Sequence, residues 1–99
     1  MSVKISEGSI VVAIKDQVFC NLDGEAVILN FQSGDYFGLD PVGARVWSLI
    51  QEPKKVKEVR DTLLKEYDVE PSVCERDLMA LLQEMVAGEL IEIKNETGE

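Results

Sequence analysis

The sequence contains no histidine, so the chemistry that histidine usually supplies is missing. Histidine is the commonest acid–base residue near neutral pH, the usual partner of a nucleophilic serine or cysteine, and a frequent zinc ligand. Phosphate-binding loops are lacking too, because Gly34, Gly38 and Gly43 fit neither the Rossmann nor the P-loop spacing. Carboxylates are plentiful, but they occur at turns and helix starts and form no EF-hand loop. We therefore predict that the chain is not an enzyme and has no catalytic residues, no cofactor and no metal site.

Basic residues are scarce, with 10 Lys and Arg against 19 Asp and Glu and a formal net charge of −9. This charge repels the phosphates that dominate nucleic-acid affinity, so we predict no nucleic-acid partner. It favours instead a basic peptide or a basic partner protein, through an attraction that salt weakens.

Long apolar runs are also absent, since no uninterrupted stretch reaches the roughly 18 residues of a spanning helix. The first residues lack the apolar centre of a signal peptide. Cys20 and Cys74 have no CxxC partner and are flanked by apolar residues, which predicts two reduced core thiols, with a disulfide as the alternative. We therefore predict a cytoplasmic protein with no membrane partner.

The chain does contain enough apolar sequence for one core, because 45% of its 99 residues are apolar. A second independent domain does not fit into this length. We predict a single domain over 1–99, with its core at about 9–93.

Short strands are predicted for the first third of the chain. Two apolar runs at 10–14 and 18–22 are separated by a polar interruption at 15–17, and Asp23-Gly24 suits a type I′ hairpin turn. A longer run covers 25–31, and a short aromatic strand follows at 36–39. The longer run has two largely apolar faces, Val27, Leu29 and Phe31 on one and Ala26, Ile28 and Asn30 on the other. The pattern predicts an antiparallel meander.

Helix signals begin at Asp40 and Pro41, which are favoured as an N-cap and as a first helical residue. Pro53 closes this first helix, in which Trp47 is expected to lie in the core. An amphipathic second helix is predicted for 55–67.

The third predicted helix has two possible starts, either Pro71 after Glu70 or a capping box from Ser72 to Glu75. Gly88 is placed to end it, and 90–93 suggests a short terminal strand. The apolar stripe of this helix is Cys74, Leu78, Leu81, Leu82 and Met85. Together these elements predict an α+β, winged helix-turn-helix-like fold, with a three-stranded antiparallel sheet followed by three helices.

Several stretches resemble the PqqD-like family of peptide-recognition proteins from bacterial peptide natural-product biosynthesis. They are DGEAVILNF at 23–31, SGDYFGLD at 33–40, VGARVWSLI at 42–50, YDV at 67–69, ERDL at 75–78 and GELI at 88–91. Their order and spacing cover residues 20–93. The resemblance implies a recognition element without an active site, which binds the leader segment of a ribosomally synthesised (RiPP) precursor peptide. It also implies that the leader adds as a strand beside the last sheet strand and faces the third helix.

The residues suggest how such a peptide is bound. A short last strand offers unpaired N–H and C=O groups, while pockets between this strand and the third helix give specificity. On the strand side the predicted peptide-binding residues are Leu29, Phe31, Tyr36, Phe37, Gly38 and Leu39. On the helix side they include Arg76, Asp77, Met79 and Ala80.

Other roles remain open for these positions. Phe31, Phe37 and Leu39 also fit the core, and Arg76 and Asp77 also fit a solvated helix surface. The contacting flank of the third helix is not decided by the sequence. One flank carries Val73, Asp77, Ala80 and Glu84, and the other carries Arg76, Met79, Gln83 and Val86.

The resemblance further implies that the chain acts as a peptide chaperone, presenting the precursor to modifying enzymes such as a leader protease or a cyclase. We favour a lasso-peptide pathway, because the chain is discrete and its Tyr-Phe-Gly-Leu strand resembles that group. The alternatives are pyrroloquinoline quinone or radical-modified peptide biosynthesis. Winged-helix DNA binding is a further alternative, which the acidic third helix disfavours.

Overall fold

The computed structural model of the chain describes residues 5–15, 17–22 and 25–94. The predicted Asp23-Gly24 turn and Asp16 of the predicted polar interruption lie outside the described residues. In chain order, the described elements are β1 (Ile10–Ala13), β2 (Gln17–Leu22), β3 (Glu25–Asn30), β4 (Tyr36–Leu39), α1 (Pro41–Leu49), β5 (Lys54–Lys55), α2 (Val56–Glu66), α3 (Pro71–Ala87) and β6 (Ile91–Lys94). The predicted α+β fold, with a three-stranded antiparallel sheet followed by three helices, is confirmed.

The predicted meander is confirmed for the sheet in which β3 lies between β2 and β4. Ile28 of β3 pairs with Phe37 of β4, and Leu29 pairs with Tyr36. Ala26 and Ile28 are buried, whereas Leu29 is only half-buried. The alternation of β3 therefore has the predicted faces, with the even-numbered positions toward the core.

The prediction that the run at 10–14 belongs to this meander is wrong. β1 pairs antiparallel with β5 and β6 and forms a second three-stranded sheet. After β1, the backbone N–H of Ile14 and the side-chain amide of Gln17 both donate to the carbonyl of Leu90, at 2.9 and 3.0 Å. These bonds hold the chain against the C-terminal segment instead of turning it back along β1. The predicted terminal strand is thereby confirmed as β6.

The helices begin close to the predicted residues. The carboxylate of Asp40 caps α1, where its Oδ1 accepts the N–H of Gly43 at 2.7 Å. In α2 the N-cap is Lys55, whose N–H donates to Glu58 Oε1 at 2.9 Å. Of the two possible starts for α3, the structure has Pro71 after Glu70, and Gly88 is the C-cap.

One apolar core joins the helices to both sheets. Its fully buried members include Val11, Ile28, Val46, Ile50, Leu82 and Met85. Trp47 is buried, as predicted. Both thiols are free, but the predicted core position holds only for Cys74, since Cys20 is half-buried on the outer face of β2. In the described part of the chain, no helix is long and apolar enough to cross a membrane.

Candidate peptide-binding site

The outer edge of β4 is open, because β3 is its only strand partner among the described residues. Asn30 N–H donates to the Asp35 carbonyl at 2.9 Å, so this pair is hydrogen-bonded. Hydrogen-bonded and non-bonded pairs alternate in an antiparallel ladder, which makes Ile28–Phe37 a bonded pair and Leu29–Tyr36 a non-bonded pair. The N–H and C=O groups of Tyr36, and by the same alternation those of Gly38, therefore point to the open edge. A further strand would find two donors and two acceptors there.

The side chains of β4 alternate between two environments. Leu39 is buried in the core and Phe37 is half-buried against it, whereas Tyr36 is 76% exposed on the opposite face. Gly38 shares the outer face with Tyr36, and a Cβ at this position would meet nothing within 4 Å. The backbone of β4 is thus accessible from its edge and from its outer face.

The two predicted β3-side residues differ in position. Leu29 lies opposite Tyr36 on the outer face of the sheet, where it is half-buried. Phe31 lies in the turn after β3 and is 64% exposed. Both lie near β4, and their contact with a peptide stays a prediction.

A groove of about 550 Å³ lies on the helix side of β4, between α1, the end of α2 and α3. Its size falls within the range of ligand pockets in proteins. The floor is buried and apolar, formed by Gly43, Val46, Leu63, Cys74 and Leu78. The more exposed walls are Val42, Tyr67, Val69, Ala80 and Leu81. An apolar side chain that enters this groove would be removed from contact with water over most of its surface.

The open edge and the groove meet at the junction of β4 and α1. Leu39 ends the strand, and the next residue, Asp40, lines the groove. Gly43 lies close to this junction, where a Cβ would be tightly placed at 3.1 Å from Asp40 Oδ1 and 3.2 Å from Leu39 Cδ2. The groove therefore begins one residue after the end of the open strand.

The structure brings only part of the predicted helix-side set to the groove. Asp77 and Ala80 line it, whereas Arg76 and Met79 do not. Arg76 is solvent-exposed and forms a 3.5 Å ion pair with Asp77, and Met79 packs against the core. The flank that carries Asp77, Ala80 and Glu84 therefore faces the groove.

Several groove residues were missed by the sequence prediction, among them Asp40, Val42, Tyr67, Val69, Leu81 and Glu84. The stretches around Asp40, Tyr67 and Val69 belong to the family resemblance, but nothing local in the sequence shows that they converge. The spacing of Asp77, Ala80, Leu81 and Glu84 is i, i+3, i+4, i+7, which does mark one helical face. The same spacing occurs at Arg76, Met79, Ala80 and Gln83, so spacing alone does not identify the flank that faces the groove.

Two electrostatic features border the groove. Burial raises the pKa of the Cys74 thiol above its ordinary value, so the thiol is protonated and a weak nucleophile at neutral pH. Arg45 of α1 binds Glu66 at the end of α2, with Nε and Nη2 at 2.9 and 2.7 Å from its carboxylate oxygens. This hydrogen bonding lowers the pKa of Glu66 and ties α2 to α1 next to Tyr67. Among the described residues, no group of three or more carboxylate or thiol side chains could hold a metal ion.

Three solved structures share this fold. TbiB1 in complex with the TbiA(beta) leader peptide is 41% identical, with a TM-score of 0.73, and the match covers 82% of this chain and 94% of that one. Lasso peptide synthetase B1 complexed with the leader peptide is 23% identical, with a TM-score of 0.72 and coverage of 83% and 96%. The PqqD truncation of Methylobacterium extorquens PqqCD, described as a functional, stand-alone RiPP recognition element, is 19% identical, with a TM-score of 0.76 and coverage of 90% and 95%. No curated protein matches the chain.

The fold is that of the PqqD RiPP recognition element. The family described as coenzyme PQQ synthesis protein D (PqqD) matches residues 25–91. The chain belongs to this family, as its resemblance in sequence predicted.

Proposed function

We propose that the chain binds the leader segment of a ribosomally synthesised precursor peptide by strand addition to β4. The single observation that carries this proposal is the open edge of β4, where Tyr36 and Gly38 direct their backbone groups outward next to an apolar groove. The complex of TbiB1 with a leader peptide, at 41% identity, supports it. Main-chain pairing supplies affinity with little sequence demand, and the groove supplies selectivity.

Within this proposal the predicted contact residues have different roles. Tyr36 and Gly38 pair through their backbone, and Leu29 and Phe31 contact the peptide side chains on the outer face. Phe37 and Leu39 support the strand from the core side. On α3 we propose contacts through Asp77 and Ala80, because these residues line the groove and Arg76 and Met79 do not.

The proposed role is presentation and not catalysis. The chain holds the precursor while separate enzymes, such as a leader protease and a cyclase, modify it. A lasso-peptide pathway is the one we propose, supported by the Tyr-Phe-Gly-Leu strand of β4 and by the fold shared with lasso peptide synthetase B1.

A matched pair of substitutions at Gly38 tests the proposal. Proline at an edge strand removes an outward N–H and leaves the ladder to the neighbouring strand intact, so Gly38→Pro removes one donor for the peptide. Gly38→Ala keeps the N–H, and its Cβ meets open space. Labelled TbiA(beta) leader peptide, and the leader of any precursor gene found beside the gene for this chain, are titrated against all three chains by fluorescence anisotropy. We expect saturable binding by the wild type and by Gly38→Ala, and binding about three- to tenfold weaker by Gly38→Pro.

Equal affinity of the two folded Gly38 variants would contradict strand addition at β4. Absence of binding to both leaders would contradict leader binding altogether. Thermal melts confirm that each variant is folded. Leu39→Arg is a poorer test, since Leu39 is buried and the charge would unfold the core.

A further inference from the structure

The rim of the groove carries charge of one sign. Asp40, Asp77 and Glu84 are exposed and line the groove, and none of the described lining residues is Lys or Arg. One cation next to this rim is Arg76, which pairs with Asp77 at 3.5 Å while the two side chains are 74% and 69% exposed. Such pairs contribute little, so a peptide cation can compete for Asp77.

The positive end of a helix does not offset this rim. α1 starts at the groove, but Asp40 accepts the Gly43 N–H through its side chain at 2.7 Å and the Ala44 N–H through its carbonyl at 2.9 Å. An acidic peptide side chain would therefore find carboxylates here and few free donors. The rim favours a basic side chain.

The spacing along α3 fits an extended peptide. Asp77 and Glu84 are seven residues apart, which is about 10.5 Å along a helix axis. In an extended strand, neighbouring side chains on one face are about 6.7 Å apart. The side chains at positions i−2 and i+2 around a central residue i are therefore about 13 Å apart. Long basic side chains bridge this difference. Ala80 lies between the two carboxylates and leaves room above the apolar floor.

We infer that the leader segment places an apolar side chain in this groove and a lysine or arginine two residues away on the same face, where it pairs with Asp77 or Glu84. The inference rests on the proposed function and specifies the peptide class that the site selects. The buried floor accounts for the apolar residue, and the acidic rim accounts for the basic one.

An array of TbiA(beta) leader peptides tests the inference, with each position replaced in turn by Leu, Lys or Glu. With the wild-type chain we expect one position at which Leu binds best. Two residues from it, Lys should bind about two- to fivefold more tightly than Glu, the range of an exposed ion pair. Glu84→Lys or Asp77→Lys should abolish or invert this preference, because each replaces a rim carboxylate with a cation. Asp40 is left unchanged, since it caps α1.

Glu92→Lys is the matched control, since Glu92 is exposed on β6 in the other sheet and does not line the groove. It changes the net charge as much as Glu84→Lys does, and it should leave the Lys preference intact. Equal binding of Lys and Glu at every position overturns the inference while leader binding stands. The inference is also overturned if Glu92→Lys removes the preference for Lys over Glu. It is overturned as well if neither Asp77→Lys nor Glu84→Lys alters that preference. If the unsubstituted peptide does not bind, the proposed function fails for this leader and the inference falls with it.

Discussion

Two neighbouring leucines on α3 separate stability from binding. Leu82 is fully buried in the core, whereas Leu81 is half-buried and lines the groove. Leu82→Ala should lower the free energy of unfolding by about 2–5 kcal/mol, because it leaves a cavity. Leu81→Ala should cost less stability but weaken leader binding, since it removes part of the groove wall. Urea denaturation and peptide titration of both variants measure the two effects, and equal losses of stability would contradict this division.

The thiol of Cys74 makes stability depend on pH. Its pKa is raised by burial from an ordinary value near 9.0, so the native state holds the proton more tightly than the unfolded chain does. The contribution is therefore complete below about pH 9 and is lost as the pH rises through the native pKa. Cys74→Ala should lose less stability than the wild type between pH 8 and about pH 10.5. Urea denaturation across this range tests it, and parallel curves for the two chains would contradict it.

At the scale of residues, the sequence predicted which side chains are buried better than it predicted which exposed side chains line the groove. Trp47 and Cys74 are buried, and β3 has the predicted faces, because apolar periodicity reports local exposure directly. The sequence did not decide which flank of α3 faces the groove, since Arg76 and Asp77 are both exposed charged residues and only the packing of α1 and α2 places Asp77 at the groove. The exposure of Phe31 could not be predicted either, because the hydrophobic pattern places apolar residues in the core.

At the scale of elements, the start of α1 determines the shape of the groove. Asp40→Ala should lower the free energy of unfolding by about 1 kcal/mol, because the Gly43 N–H loses its acceptor. Asp40→Asn keeps a capping oxygen and should stay close to the wild type. Urea denaturation of both variants distinguishes a capping role of Asp40 from an effect of its charge. If Asp40→Asn loses as much stability as Asp40→Ala, the charge and not the cap is responsible.

The helices and their caps were predictable because their signals are local, as Asp40-Pro41 and Glu70-Pro71 show. The partner of β1 was not. An apolar run predicts a strand but not its neighbours, and β1 pairs with β6, about 80 residues later, through bonds that Gln17 and Leu90 reinforce. The polar interruption at 15–17 gave a weak hairpin signal that these long-range contacts override.

At the scale of the whole molecule, the charge of −9 and the acidic rim should make binding salt-dependent. Affinity for the leader should fall as NaCl rises from about 0.05 M to about 0.5 M, because screening shortens the range of the attraction. Glu84→Gln should reduce the slope, and Glu92→Gln should change it less. Titrations at four salt concentrations measure the slopes, and a flat response for the wild type would contradict an electrostatic contribution.

Hydrogen exchange of individual backbone amides tests strand addition most directly. The outward amides of Tyr36 and Gly38 should exchange more slowly when the chain is saturated with leader peptide, because each gains an acceptor. The other edge of the same sheet is an internal control, since by the alternation of the ladder Phe19 and Asn21 of β2 direct their amides to solvent. We expect protection at Tyr36 and Gly38 and none at Phe19 or Asn21. Protection confined to β2, or none at the edge of β4, would contradict the account.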